Sequence, residues 1–234
     1  MVTSSGVIMY TSNPYFVVFD CDGTLIDSGH NIVTAMSEAW RNYDLEPPPA
    51  MSIRRIVGLK LEEAVQKLMP RDCDVEVDRL VQAYIEAFSR FRDDPDYSEP
   101  LYPGVRECLN DLASLGLSLG IATGKSRRGL ARTLERHSVS DLFCVSKTAD
   151  DGPGKPNPDI LLDAIAETST TAEKTAMIGD TIYDMKMAKN AATTAIGVSW
   201  GYHETGELTE AGAQIIINDC AELQPSLKTL WRIP

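Results

Sequence analysis

A chain of 234 residues, 43% hydrophobic and 24% charged, has an ordinary globular composition and can bury a sizeable core, as one large domain or as a core with a smaller insertion. Its net charge of -12 excludes the basic surface that non-specific binding to nucleic acid or to an anionic membrane needs, so cations that meet an anionic substrate must be local. Five cysteines, widely spaced and without a Cys-x-x-Cys pair, suggest reduced thiols in a cytoplasmic protein, and no segment reaches membrane-spanning length.

The first 14 residues contain no Lys or Arg and no long apolar run, so they read as a loosely docked arm rather than a secretory signal. Phe16-Val17-Val18-Phe19 follows, a run of large apolar residues expected to be a strand buried on both faces. It ends abruptly in Asp20-Cys21-Asp22-Gly23-Thr24. Ile32, Val33, Met36, Ala39 and Trp40 then mark one helical face, and the prolines at 47 to 49 end that segment. Further helices are expected around Leu61 to Leu68 and from about Val75 to Phe91. The span 29–97 therefore reads as an all-helical insertion, and 1–28 with 98–234 as the core domain it interrupts.

From Tyr102 onward strands and helices alternate. Strands are expected at Leu117 to Ala122, Leu142 to Val145, Thr175 to Ile178, Ala195 to Val198 and Ile215 to Ile217, the last at a sheet edge. Helices are expected over Gly104 to Leu115, around Leu130 and Leu134, around Ile160 to Ile165, over Ile182 to Ala191 and at the C-terminus. Such alternation implies parallel strands with right-handed crossovers, hence an α/β, three-layer, doubly wound sheet.

Asp20/Asp22, Thr123/Gly124, Lys155 and Asp180/Asp184 each follow a predicted strand, or lie in a loop after one. In a parallel sheet those loops open on one edge, where α/β proteins bind ligands. Two carboxylates two residues apart suit a hard cation such as magnesium. In order and content, Asp20-x-Asp22-Gly23-Thr24-Leu25, Thr123, Lys155-Pro156-x-Pro158 and Gly179-Asp180-x-x-x-Asp184 resemble the four motifs of the haloacid dehalogenase superfamily. A helical insertion between the first two motifs resembles the small cap of its phosphoglycolate phosphatase branch.

The resemblance implies a magnesium-dependent phosphatase with Asp20 as nucleophile and Asp22 as general acid and base. Thr123, Gly124, Gly23, Thr24 and Lys125 would contact the phosphoryl group, and Lys155 would neutralise charge. Magnesium would be held by Asp20, Asp180 and the backbone carbonyl of Asp22, with Asp184 in support. Ile56-Val57-Gly58-Leu59 resembles the cap segment that meets substrate, and Arg55 and Lys60 beside it are expected to face the crevice. The substrate is expected to be a small phosphorylated metabolite, phosphoglycolate-like or a sugar phosphate, and the protein a monomer or homodimer. Phosphomutase, pyrophosphatase, phosphonate or carbon–halogen hydrolase and a non-catalytic binding protein are the alternatives on the same fold.

Among the other candidates, Cys21 should point to the opposite side of its strand from Asp20 and act as a spacer. His30, His137 and His203 show no ligand spacing, and surface or capping roles are expected for them. The Val77 to Phe91 stripe reads as the insertion's core, and Lys125-Ser126-Arg127-Arg128 as the solvated first turn of a helix.

Overall fold

The computed structural model describes residues 14–233, so the expected N-terminal arm lies outside the described residues, apart from Pro14. Strand β1 (Phe16–Phe19) is the centre of a parallel sheet whose other strands are β2 (Ser118–Ala122), β3 (Val145–Lys147), β4 (Thr175–Gly179), β5 (Thr194–Val198) and β6 (Ile215–Ile217). The spatial order is β3-β2-β1-β4-β5-β6. The chain therefore moves outward from β1 to β3, then returns to the other side of β1 to lay down β4 to β6. That reversal opens a crevice at the carboxyl end of β1, between β2 and β4.

The buried runs of the sequence explain the sheet. All four residues of β1 are buried, and their side chains alternate between two apolar clusters. Val17, Phe19 and Cys21 pack with helices α5 (Val105–Ser114), α6 (Arg127–Arg136) and α10 (Leu223–Trp231). Phe16 and Val18 pack with α7 (Asp159–Glu167), α8 (Ile182–Asn190) and α9 (Thr205–Ala211). The result is the three-layer doubly wound core. Strand β3 starts at Val145, later than expected, because residues Ser140–Leu142 form a 3-10 turn. Helix α9, a polar segment interrupted by Gly206, is an element that apolar periodicity does not announce.

Between β1 and α5 stand α1 (Gly29–Arg41), α2 (Ala50–Arg54), α3 (Leu61–Leu68) and α4 (Val77–Arg92). They share a third cluster built on Ile32, Met36, Trp40, Ile53, Leu80 and Phe88. Trp40 is fully buried there, with no hydrogen-bond partner for its indole N–H among the described residues. Ile85 departs from the expected stripe: it is 44% exposed, while Ala83 and Ala87 are buried. All five cysteines are unpaired, and among the described residues no helix is long and apolar enough to cross a membrane.

Trp40→Ala removes the largest side chain of the third cluster and leaves a cavity, so it should destabilise the protein by about 3–5 kcal/mol in urea unfolding. A loss under about 1 kcal/mol would mean that α1 is not anchored by this packing.

Candidate active site

Strand register aligns the site. Phe19 pairs with Ile121 and Ile178, so Asp20 comes directly after its paired residue and Thr123 and Asp180 come two residues after theirs, all three at the carboxyl edge of the sheet. The Asp20 N–H donates to the Ile178 carbonyl at 2.9 Å, which fixes the start of the β1 loop. Carboxylate oxygens of Asp20, Asp180 and Asp184 lie within 4.8 Å of one another, and all three residues are buried. At such separations each pair of charges repels by roughly 3–4 kcal/mol at an effective dielectric near 20.

One cation enters this cluster from the protein. Lys155, fully buried, places Nζ 2.8 Å from Asp20 Oδ1 and 2.6 Å from Asp184 Oδ1. Burial alone would lower its pKa, but Asp184 and Asp20 outweigh that and hold the ammonium charged. Burial lifts the Asp20 carboxyl to about 6; Lys155 opposes the lift and Asp184 adds to it. Burial, then Asp184 and Asp20, also push Asp180 well above the usual carboxylate range.

Neighbouring groups hold two of the acids in place. Thr24 Oγ1 donates to Asp180 Oδ1 at 2.8 Å, and the Tyr202 N–H donates to Oδ2 at 2.9 Å. Asp184 Oδ2 accepts from Thr181 Oγ1 at 2.6 Å and from the Thr181 N–H at 3.0 Å, within a reciprocal capping box that starts α8. Asp20 differs. Apart from the Lys155 ammonium, its two oxygens have no partner among the described residues. Three clustered carboxylates, two of them sharing one ammonium, with oxygen donors only and Asp20 Oδ2 left without a partner among the described residues, make a set that fits a hard divalent cation.

A second charged group lies beside the first. Asp22 Oδ1 accepts from Ser28 Oγ and from Lys125 Nζ, each at 2.6 Å. Burial alone would raise this carboxyl, but Lys125 and the two hydrogen bonds outweigh it and hold Asp22 below its ordinary range. Lys125 also lies 3.5 Å from Glu99 Oε1, and Arg92 lies 3.7 Å from the same atom. Buried Glu99 thus anchors two cations beside the crevice. Between the sheet edge and the helical insertion is a cavity of about 310 Å³, lined by Asp20, Asp22, Thr123, Gly124 and Lys125 from the core side.

Several expected contacts turn out otherwise. Gly23 donates its N–H to Ile26 O at 2.9 Å, so that amide is already used. The residue is glycine because φ is +88° and a Cβ would stand 2.2 Å from Asp180 Oδ2. Thr24 serves Asp180 rather than facing the cavity. Lys125 pairs with Asp22 and Glu99. Arg55 is turned away from the crevice, forming a two-pronged ion pair with Glu207 of α9. Its carbonyl accepts from His203 Nε2 at 3.1 Å and from Tyr183 Oη at 3.2 Å, so it ties the insertion to the core. Lys60 packs on Gly154, and neither Arg55 nor Lys60 lines the cavity.

Gly124 lines the cavity. A Cβ there would lie 2.6 Å from Gly58 O and 2.7 Å from Leu59 O, so its bareness lets the insertion's loop approach. His203 is buried and caps α8 by accepting the Ile182 N–H at 3.3 Å, a capping role but not a surface one. Burial pushes the Cys21 thiol up, which makes it a poor competitor as a nucleophile.

A model of haloacid dehalogenase-like hydrolases matches residues 17–198, a span that takes in all four clusters. The chain belongs to the haloacid dehalogenase-like hydrolase family. It is 34% identical over 220 residues to "Probable phosphatase IndB" of Dickeya dadantii, covering 93% of this chain and 95% of that one. It is 27% identical to a phosphoglycolate phosphatase of Agrobacterium fabrum, over 93% and 94% of the two chains. The crystal structure of a hydrolase from Pseudomonas syringae superposes with a TM-score of 0.81 at 28% identity, covering 92% of this chain and 98% of that one. This member of the family is a phosphatase.

In EDTA the carboxylate repulsion is unrelieved, so Asp20→Asn should melt higher than wild type by roughly 3 °C or more. Added magnesium should raise the wild-type melting temperature and leave the variant nearly unmoved. A variant less stable than wild type in EDTA would show that Asp20 is not under electrostatic strain.

Proposed function

We propose that this phosphatase hydrolyses small phosphate monoesters with magnesium, by way of an aspartyl phosphate on Asp20. The carrying observation is the Asp20 carboxylate: it is buried, has no hydrogen-bond donor among the described residues apart from the Lys155 ammonium on Oδ1, and lines the cavity beside Thr123 and Gly124. A carboxylate held this way is a nucleophile in place, and splitting the displacement into two steps eases a reaction that is very slow uncatalysed.

In the first step an Asp20 oxygen attacks phosphorus and the ester oxygen leaves, taking a proton from Asp22. In the second, Asp22 takes a proton from water, whose oxygen attacks phosphorus and frees Asp20. Asp22 is held ionised by Lys125 at rest, so acting first as an acid requires Lys125 to loosen when substrate enters. The Thr123 hydroxyl accepts the Lys125 N–H at 3.3 Å, which leaves its hydrogen for a phosphoryl oxygen. The Gly124 N–H has no acceptor among the described residues and is a second donor for the same group. Asp20, Asp180 and Asp184 are the side chains to hold magnesium, and the bound ion supplies positive charge against the charge of carboxylate and phosphate. Lys155 neutralises a further charge.

In this reading the helices of 29–97 form a cap over the site. Their own apolar cluster, the cavity beneath them and the Gly58 and Leu59 carbonyls over Gly124 support that role. The names of the relatives and the family resemblance point to a small phosphorylated metabolite as substrate.

Asp22→Asn should slow hydrolysis of alkyl phosphates by roughly 10² to 10⁴, the usual worth of a positioned acid, and slow p-nitrophenyl phosphate less because its leaving group needs little protonation. Equal losses on both would remove Asp22 from the acid role.

A further inference from the structure

The cavity is built for a different body than the two-carbon acid in the names of several relatives. The cavity of about 310 Å³ has a broad cap-side wall, whereas phosphoglycolate offers one methylene between its two charged ends. The wall opposite Asp20 comes from the cap and is mostly apolar: Met36 of α1, Val57 and Leu59 of the loop before α3, and Tyr84, Ile85 and Phe88 of α4, with Glu62, Ser89 and Arg92 as its polar members. Ile85, 44% exposed, lines this cavity together with its apolar neighbours. A mostly apolar wall beside a few convergent polar groups suits an apolar part of a ligand.

Charge leads to the same conclusion. A substrate carboxylate buried inside the cavity needs a cation of its own, since an unpaired buried charge is costly. The two cations inside have partners that stay when substrate enters: Lys125, even once loosened from Asp22, keeps buried Glu99 at 3.5 Å, and Arg92 keeps Glu99 at 3.7 Å and the Phe88 ring at 4.7 Å. Arg128 and Arg132 also line the cavity, exposed to solvent, as are the acids Glu62 of the cap and Asp150 of the core. Exposed arginines there draw in a phosphate dianion and are too screened to hold a second anion tightly.

We infer that the leaving group is an uncharged, largely apolar alcohol of alkyl or aryl character, seated against α4. This rests on the phosphatase reading above and narrows its substrate class. Each methylene buried on that wall contributes to transition-state binding what it contributes to transfer from water, about fourfold in kcat/KM.

The test is kcat/KM, with magnesium, for ethyl, butyl and hexyl phosphate, benzyl phosphate, phosphoglycolate and p-nitrophenyl phosphate. These alkyl leaving groups differ little in reactivity, so chain length isolates binding. A rise of at least tenfold from ethyl to hexyl phosphate is expected, with hexyl and benzyl phosphate ahead of phosphoglycolate. Ile85→Asn, at a partly exposed position, should reduce the hexyl-to-ethyl ratio severalfold. A flat alkyl series, a ratio unchanged by Ile85→Asn, or phosphoglycolate equal to or ahead of hexyl phosphate would overturn the inference and leave the phosphatase reading standing. Release of phosphate from none of the six would overturn both.

Discussion

Three clustered buried carboxylates, two of them paired with one buried lysine, at the carboxyl end of a central strand, are the constraint on which the rest of this structure depends. Asp20, Asp180 and Asp184 repel one another, and Lys155 offsets only part of that repulsion. Left alone, such a cluster would push the loops apart. It is held by strand register, by the bond from the Asp20 N–H to Ile178, and by donors aimed at Asp180 and Asp184 from Thr24, Tyr202 and Thr181. Asp20 alone is left without such donors, which is also what leaves it free to react.

The second constraint is the closeness of the insertion. Gly124 has no side chain because the Gly58 and Leu59 carbonyls occupy its space, and Arg55 with His203, Tyr183 and Glu207 ties the same loop region to α8 and α9. The apolar face of α4 is thereby divided. Leu80 and Val81 fill the insertion's core, while Tyr84, Ile85 and Phe88 reach the cavity that contains Asp20. One helix serves both stability and substrate contact.

Much of this was readable before any coordinates. Strands buried on both faces appear as continuous apolar runs, so β1, β2, β4 and β5 stood out, and the polar residues after β1, β2 and β4 located the crevice. The same rule applied to β5 finds Ser199-Trp200-Gly201-Tyr202-His203, whose Tyr202 N–H holds Asp180; a backbone donor of that kind carries no residue signature in the sequence. Ser28 and Glu99 were likewise hidden, being single polar residues where the chain enters and leaves the insertion. Arg55 and Lys60 were expected in the crevice from sequence proximity to Gly58. A helix of five residues has too little periodicity to show which way its end faces. The α4 stripe could be assigned to a helix face but not divided between core and cavity, since apolar residues suit both.

The central claim is that the bare carboxylate of Asp20 carries the phosphoryl group. Rapid acid quenching during turnover of p-nitrophenyl phosphate with magnesium, followed by peptide mass spectrometry, tests it most directly. The account predicts a phosphorylated peptide with the phosphoryl group on Asp20, absent from Asp20→Asn, which should also be inactive. Sustained hydrolysis by Asp20→Asn, or a phosphoryl group on any other residue of the site, would contradict it.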